Sequence, residues 1–185
     1  MDGIALMVEE HKLIKRMLKV MRKASFILMK NDDYSDSDFR EMIDFVRNYA
    51  DAHHHGKEED FLFKRMIKEI GTVAEKLVKN GMLVEHDLGR LHMKLLEEAL
   101  DKVKEGDEEA KIDVIANAVS YTDLLTRHID KEDKVAYTFA EKNLSEDTIY
   151  MLNKDCESFE KVQKEKGVQN KYLKLVEKME DKYLN

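Results

Sequence analysis

Residues 53–64 read HHHGKEEDFLFK, and residues 128–139 read HIDKEDKVAYTF. In each stretch a histidine is followed four positions later by a glutamate, His54 by Glu58 and His128 by Glu132. Residues four apart lie on one face of a helix, so each pair projects in a single direction. Both pairs fall on the apolar side of their helix, where an unpaired carboxylate is costly to bury. The two stretches therefore predict a positively charged partner inside a helical core.

The composition predicts an all-α fold, because the chain has no proline, only 7 glycines and 38% charged residues. Apolar residues recur every three or four positions in four long stretches. The first predicted helix ends near Lys30, and the second runs from Ser35 or Ser37 to Ile70. The third begins at a TVAE capping box after Gly71, and a break in it at Asn80-Gly81 is left open. The fourth runs from an Asp107 cap to Lys142.

Short turns between long helices predict an up-down-up-down antiparallel four-helix bundle over residues 1–143. Residues 144–185 are predicted to form a C-terminal helical extension, broken at Gly167, that packs on the bundle or mediates association.

Several classes of function are disfavoured by the bulk properties. The net charge of −7 argues against a nucleic-acid partner or an anionic membrane surface. No apolar run is long enough for a membrane span, and the N-terminal stretch MDGIALMVEEHK lacks the basic start of a signal peptide. A single cysteine, Cys156, forms no internal disulfide and is expected to be inert. We therefore expect a cytoplasmic protein.

The strongest feature of the sequence is an internal repeat. His54, Lys57, Glu58 and Glu59 align with His128, Lys131, Glu132 and Asp133 at an offset of 74 positions. The pair Glu10-His11 aligns with Glu85-His86 at an offset of 75. Each half of the chain is therefore predicted to be a helix with a lone histidine, followed by a helix with His-x-x-x-Glu. Inward imidazoles and carboxylates at one level of a bundle favour a pair of metal ions.

This pattern resembles the hemerythrin-like (HHE cation-binding) family over roughly residues 4–142. The resemblance implies a four-helix bundle that holds two non-haem iron ions with an oxo or hydroxo bridge and two bridging carboxylates. Carried over position by position, it implies the metal ligands His11, His54, Glu58, His86, His128 and Glu132.

One position departs from the oxygen-carrying hemerythrins, whose third helix carries His-x-x-x-His. Here Arg90 lies four residues after His86, and His92 lies about 240° around the helix, too far to replace the ligand. The remaining set resembles bacterial di-iron proteins implicated in nitrosative stress and iron-sulfur cluster repair. We expect Arg90 to contact a carboxylate such as Glu58, Glu132 or Asp133.

Two alternatives concern which neighbouring side chains point inward. His53 and His55 flank His54 by about 100° on an α-helix, so both are expected in an outer shell or in solvent. A register that pairs His55 with Glu59 is disfavoured, because Ile129 aligns with His55 in the repeat. Asp133 stays a rival to Glu132, since the last carboxylate of the oxygen carriers lies five residues after its histidine. Tyr121, seven residues before His128, is expected on the same helix face. Its ring is expected either to pack in the core, which is favoured, or to lie near the metals.

Mixed imidazole and carboxylate donors suit iron, with manganese and zinc as alternatives. The expected function is to bind or sense dioxygen or nitric oxide. The alternative is a di-iron enzyme that reduces nitric oxide or peroxide, or serves iron-sulfur cluster repair. A redox protein or an iron-accepting protein is the expected macromolecular partner, and the chain is expected to be a monomer or a homodimer.

Overall fold

The computed structural model describes residues 1–185, which form six long helices and no strand. The first four form the bundle: α1 (Gly3–Asn31), α2 (residues 36–70), α3 (residues 72–104) and α4 (residues 111–143, after a short 3₁₀ turn, Glu108–Ala110). Two further helices follow, α5 (Glu146–Glu165) and α6 (Val168–Tyr183). The predicted all-α four-helix bundle with a C-terminal helical extension is confirmed.

Most helix boundaries lie where local chemistry predicts them. The Asp107 carboxylate accepts hydrogen bonds from the backbone N–H groups of Glu109 and Ala110, as expected of a cap. Gly167 separates α5 from α6 with φ of 74°, a conformation that favours glycine. The predicted TVAE capping box is wrong, because α3 begins after Gly71 with no side-chain cap. At Asn80-Gly81 the chain stays helical.

Parts of three bundle helices are π-helical, which the sequence analysis did not predict. In α2 these parts are Val46–His55 and Glu58–Phe63, in α3 Val78–Met82, and in α4 Glu132–Ala136. A π-helical turn closes with hydrogen bonds between residues five apart and is frequently found at functional sites. The predicted ligands of α2 and α4 lie in or beside these turns.

The core consists of two apolar clusters. The larger cluster includes Ile14 and Met17 of α1, and the smaller includes Ile4 and Met7 of the same helix. His11 lies between these two sets and is buried. A polar level therefore crosses the bundle between two apolar ends, which exclude water from it.

The C-terminal helices pack on both clusters. Leu152 and Cys156 of α5 belong to the smaller cluster, and Val176 and Met179 of α6 belong to the larger. Gly3 of α1 approaches α5 so closely that a Cβ there would lie 2.9 Å from the Cys156 sulfur. The division into domains at residue 143 stays a prediction. No helix is long and apolar enough to cross a bilayer.

Candidate metal centre

The six predicted ligands come together at the polar level of the bundle. His11 comes from α1, His54 and Glu58 from α2, His86 from α3, and His128 and Glu132 from α4. Every one of these side chains is buried. Two long helix pairs related by the internal repeat therefore deliver their polar side chains to one place.

Donor atoms form two groups that share one carboxylate. Within each group, every residue contributes one donor atom, and these atoms all lie within 4.8 Å of one another. The first group consists of His11, His54, Glu58 and Glu132, and the second of His55, Glu58, His86 and His128.

Glu132 faces both groups with different oxygens. Its Oε2 lies 3.3 Å from His11 Nε2, and its Oε1 lies 3.0 Å from His128 Nε2 and 3.7 Å from His86 Nε2. Glu58 Oε2 lies 3.8 Å from His54 Nε2 and 3.6 Å from His86 Nε2. Both glutamates are therefore placed to bridge two ions.

Several of these atoms lack the hydrogen bonds that buried polar atoms normally make. The buried atoms without a hydrogen-bond partner include His11 Nε2, His54 Nε2, Glu58 Oε2 and both carboxylate oxygens of Glu132. Such orphaned groups are rare, because each costs about 1–3 kcal/mol. Imidazole nitrogens and carboxylate oxygens are also the donors that iron, manganese and zinc accept. The residues present therefore fit a pair of transition-metal ions.

A layer of carboxylates holds the imidazoles from behind. His11 Nδ1–H donates to Asp133 at 2.7 Å, and His86 Nδ1–H donates to Glu59 at 2.7 Å. His54 Nδ1–H donates to Glu10 at 2.8 Å, and His128 Nδ1–H donates to Glu85 at 2.9 Å. Ligating histidines characteristically donate their second N–H to a carboxylate, which fixes the ring and leaves Nε2 free for the metal.

Outside the carboxylates lies a layer of cations. Lys15 contacts Asp133, Lys57 contacts Glu10, Arg90 contacts Glu59 and Lys131 contacts Glu85. Lys15 lies four residues after His11, just as Arg90 lies four residues after His86. All three layers therefore follow the internal repeat, with an imidazole, a carboxylate and a cation at each of four positions that the repeat relates in two pairs.

The comparisons with known proteins identify the family. The hemerythrin HHE cation binding domain matches residues 2–140, which is most of the chain. The chain belongs to the hemerythrin HHE cation-binding family. No curated protein and no solved structure gives a significant match.

The HHE domain places two side chains, His55 and Arg90, differently from the sequence predictions. His55 is buried and its donor atom lies within 4.8 Å of those of Glu58, His86 and His128, so the expected outer or solvated position is wrong for it. His53 is buried too, and its Nε2 faces Glu10 and Glu160 outside the centre, which agrees with the expected outer shell. Arg90 does not contact Glu58, Glu132 or Asp133; it contacts Asp51, Glu59 and Asp87.

Further polar residues lie around the centre and outside its two donor groups. Glu59 lies outside His86, and Asp133 lies outside His11, so both carboxylates occupy the second layer. His92 lies away from the centre, where its Nδ1–H donates to Asn117. Sequence reasoning missed the roles of Glu10 and Glu85, although each directly precedes a histidine of the repeat. That shared position was the signal that could have found them.

Burial and mutual repulsion set the charge of Glu58 and Glu132. Burial, reinforced by the nearby Glu132 carboxylate, raises the pKa of Glu58 well above its usual value. Burial also acts on Glu132, but the surrounding imidazoles of His128, His11 and His86 outweigh it and lower the pKa of that carboxyl. The Tyr137 hydroxyl donates a hydrogen bond to Glu58 at 2.5 Å. Protonation of Glu58 is therefore favoured when no cation is bound, and a cation held by this carboxylate would release the proton.

A second buried polar cluster joins the centre to α5. The ammonium group of Lys57 is completely buried between Glu10, which holds His54, and Glu160 of α5. His53 Nε2 lies 3.1 Å from carboxylate oxygens of the same two glutamates. The positive charge of Lys57 thus neutralises the two buried carboxylates. Through Glu160, the C-terminal extension helps to hold Glu10, which in turn holds the candidate ligand His54.

A cavity of about 140 Å³ leads to one side of the centre. It is bounded by α2, α3 and α4 and reaches the candidate donors His55 and His86. Tyr121 lines it with a buried hydroxyl that has no hydrogen-bond partner. The HHE domain therefore offers a small molecule a route to the second donor group.

Proposed function

We propose that this HHE domain is a non-haem di-iron protein that binds or senses dioxygen or nitric oxide. The single observation that carries the proposal is that two buried carboxylates, Glu58 and Glu132, lie between two groups of imidazoles. One ion per group, bridged by Glu58 and Glu132, would satisfy the orphaned nitrogen and oxygen atoms together. A single ion would leave part of the set unpaired.

Iron is the metal that the proposed function requires. The donor set of neutral imidazoles and carboxylates also accepts manganese or zinc, but neither is suited to reversible binding of a diatomic ligand. Bound iron would supply a redox-active centre with room for a small ligand. The protein's part is to hold Nε2 of each imidazole inward through the outer carboxylates, and to hold Glu58 through the Tyr137 hydroxyl.

The size and place of the cavity support a small ligand. At about 140 Å³ it is well below the volume of typical sites for drug-sized molecules. It reaches the centre at His86, on the group that contains three imidazoles. A diatomic molecule fits such a route, whereas a bulky organic substrate does not.

The first experiment is metal analysis of protein purified from iron-replete cells, with an absorption spectrum before and after exposure of the reduced form to dioxygen or nitric oxide. We expect about two iron ions per chain, one for each donor group, and a spectral change that reverses when the gas is removed. His54→Ala and His128→Ala should each lose iron, while His92→Ala should retain it. A folded wild-type protein without metal would contradict the proposal.

The second candidate is a di-iron enzyme that acts in nitrosative or oxidative stress, by reducing nitric oxide or peroxide or by supporting iron-sulfur cluster repair. It is favoured by the unpartnered Tyr121 hydroxyl, which is free to donate a hydrogen bond to a molecule in the cavity. Reduction of either molecule needs protons and electrons, so this candidate requires a redox protein as partner; repair would require an iron-accepting protein. Multiple turnovers with a chemical reductant would support the enzyme, provided that Tyr121→Phe has a lower turnover rate and still binds the gas.

A further inference from the structure

His55 lies among the candidate metal donors, although the resemblance did not include it. Its ring stacks on that of His86, with centroids 3.8 Å apart and an angle of 6° between the planes. It meets the His128 ring edge-on at 5.7 Å. Its donor atom lies within 4.8 Å of those of Glu58, His86 and His128.

The hydrogen bond of His55 is of the same kind as those of the other four imidazoles. Its Nδ1 faces the Asp51 carboxylate at 3.3 Å, so Nδ1 carries the proton and Nε2 is left as the free donor. His53 shows the contrast, since its Nε2 faces carboxylates outside the centre and its Nδ1 has no partner. Two neighbouring histidines in one segment thus have opposite orientations.

The local backbone allows His54 and His55 to reach the centre together. Successive side chains of a regular α-helix differ by about 100°, which would carry one of them away. Both residues belong to the π-helical part of α2. A π-helical turn contains more residues than an α-helical turn, so the angle between successive side chains is smaller. As a result His54 joins the donor group of α1, and His55 joins the donor group of α3 and α4.

His55 is also the one imidazole of the centre that breaks the internal repeat. Its counterpart in α4 is Ile129, which belongs to the apolar core. Arg90, in the place where the oxygen carriers have an imidazole, points outward: its Nη2 lies 2.7 Å from Asp51 and 2.6 Å from Glu59. Arg90 therefore holds the carboxylate that holds His55.

We propose that His55 is a metal ligand that supplies a fifth imidazole to the centre, and that Asp51 and Arg90 position it. The inference rests on the proposed metal centre and makes it asymmetric: His11 and His54 serve one ion, while His55, His86 and His128 serve the other. The imidazole that the third helix lacks is thus provided by the second helix, one residue after a ligand of the other ion.

Cobalt(II) titration of the metal-free protein tests this assignment with variants. The wild type should bind two ions, and His55→Ala should weaken one of them by at least about tenfold, the scale of effect seen at ligands and their supports. His92→Ala, which removes an imidazole that lies away from the centre and contacts Asn117, is the matched control and should leave both affinities unchanged. Circular dichroism checks that each variant is folded.

A measurement on the wild type keeps the test independent of folding. Proton NMR of the cobalt(II)-loaded protein should show five strongly shifted, exchangeable N–H resonances, one for the Nδ1–H of each ligating imidazole, and Asp51→Asn should selectively move one of them. Four resonances, or a His55→Ala variant that binds both ions like His92→Ala, would overturn the role of His55 alone. A wild type that binds no cobalt would overturn the metal centre itself.

Discussion

At the scale of single residues, each candidate imidazole is fixed on two sides. One nitrogen faces a carboxylate of the second layer, as His11 faces Asp133 and His54 faces Glu10. The other nitrogen faces the centre. This arrangement selects the tautomer that leaves Nε2 free, and it makes the ligand more basic than an isolated imidazole. A carboxylate can therefore act on the centre in two ways, as a candidate metal donor or as the group that orients an imidazole. Removing a carboxylate of each kind should affect metal binding to a different extent.

Glu132 and Asp133 are adjacent carboxylates with opposite expected roles. Glu132→Gln should abolish binding of at least one ion, because Glu132 has oxygens next to both donor groups. Asp133→Asn should keep both ions and lower affinity by about 10–100-fold, as for an outer-shell partner. Metal content and competition with a chelator measure both effects.

The control for this pair is Asp130→Asn, an exposed carboxylate of α4 that pairs with Lys15 and Lys134 at the surface. It should bind metal like the wild type. Loss of metal in Asp133→Asn together with retention in Glu132→Gln would exchange the two roles.

At the scale of helices, the π-turns and the buried lysine explain where sequence reasoning succeeded and failed. His54, Glu58, His128 and Glu132 were predictable because residues four apart share a face over long periodic helices. His55 was not, because the rule of 100° per residue describes an α-helix, and α2 is π-helical there. The links from His54 to Glu10 and from Lys57 to Glu160 join distant positions, which periodicity alone does not pair.

Glu160 should matter for stability although it lies outside the bundle. Glu160→Gln removes a charge that faces the fully buried Lys57, while Glu10 remains as the second partner. We expect the free energy of unfolding to fall by about 1–3 kcal/mol, the cost of an unsatisfied buried group. Urea unfolding measures the change, and hydrogen exchange should show faster opening of α5.

Glu157→Gln is the matched control on the same helix, because Glu157 forms only an exposed pair with Lys154. Its free energy of unfolding should stay within about 0.5 kcal/mol of the wild type. Equal effects of the two substitutions would show that the buried cluster does not attach α5.

At the scale of the whole molecule, an internal repeat builds the centre and two added helices brace it. The fold and the position of the centre could be predicted, since each half repeats the same histidines and carboxylates. The packing of the extension could not, because amphipathic helices of this length fit many surfaces. Asp38 shows the specificity of that packing: it accepts hydrogen bonds from the Tyr183 hydroxyl at 2.5 Å and from Lys182, both near the end of α6.

Attachment of α6 through Asp38 should depend on pH. Burial raises the pKa of this carboxyl, but Lys182 and Tyr183 outweigh it, so the pKa is lowered from its usual 3.8. The resulting stability is present above the usual pKa and is lost as pH falls through the lowered, folded-state pKa. Asp38→Asn should therefore reduce the free energy of unfolding at pH 7, and the difference should shrink below about pH 4.

Urea unfolding of metal-free protein across this range measures the pH effect. Glu41→Gln is the control, because Glu41 joins the same two helices through an exposed pair with Lys178 that contributes about 0–1 kcal/mol. A destabilisation by Asp38→Asn that is the same at pH 7 and pH 3 would contradict the assignment.

The outer cations differ sharply in their access to solvent. The side chains of Lys15, Arg90 and Lys131 are 36%, 40% and 49% exposed, whereas that of Lys57 is 0% exposed. Salt screens exposed charges and hardly affects buried ones. The reduction potential of a bound metal pair should therefore fall in Lys131→Met and in Lys57→Met, since each loses a positive charge near the centre. In voltammetry the Lys131 effect should fade as ionic strength rises, and the Lys57 effect should persist.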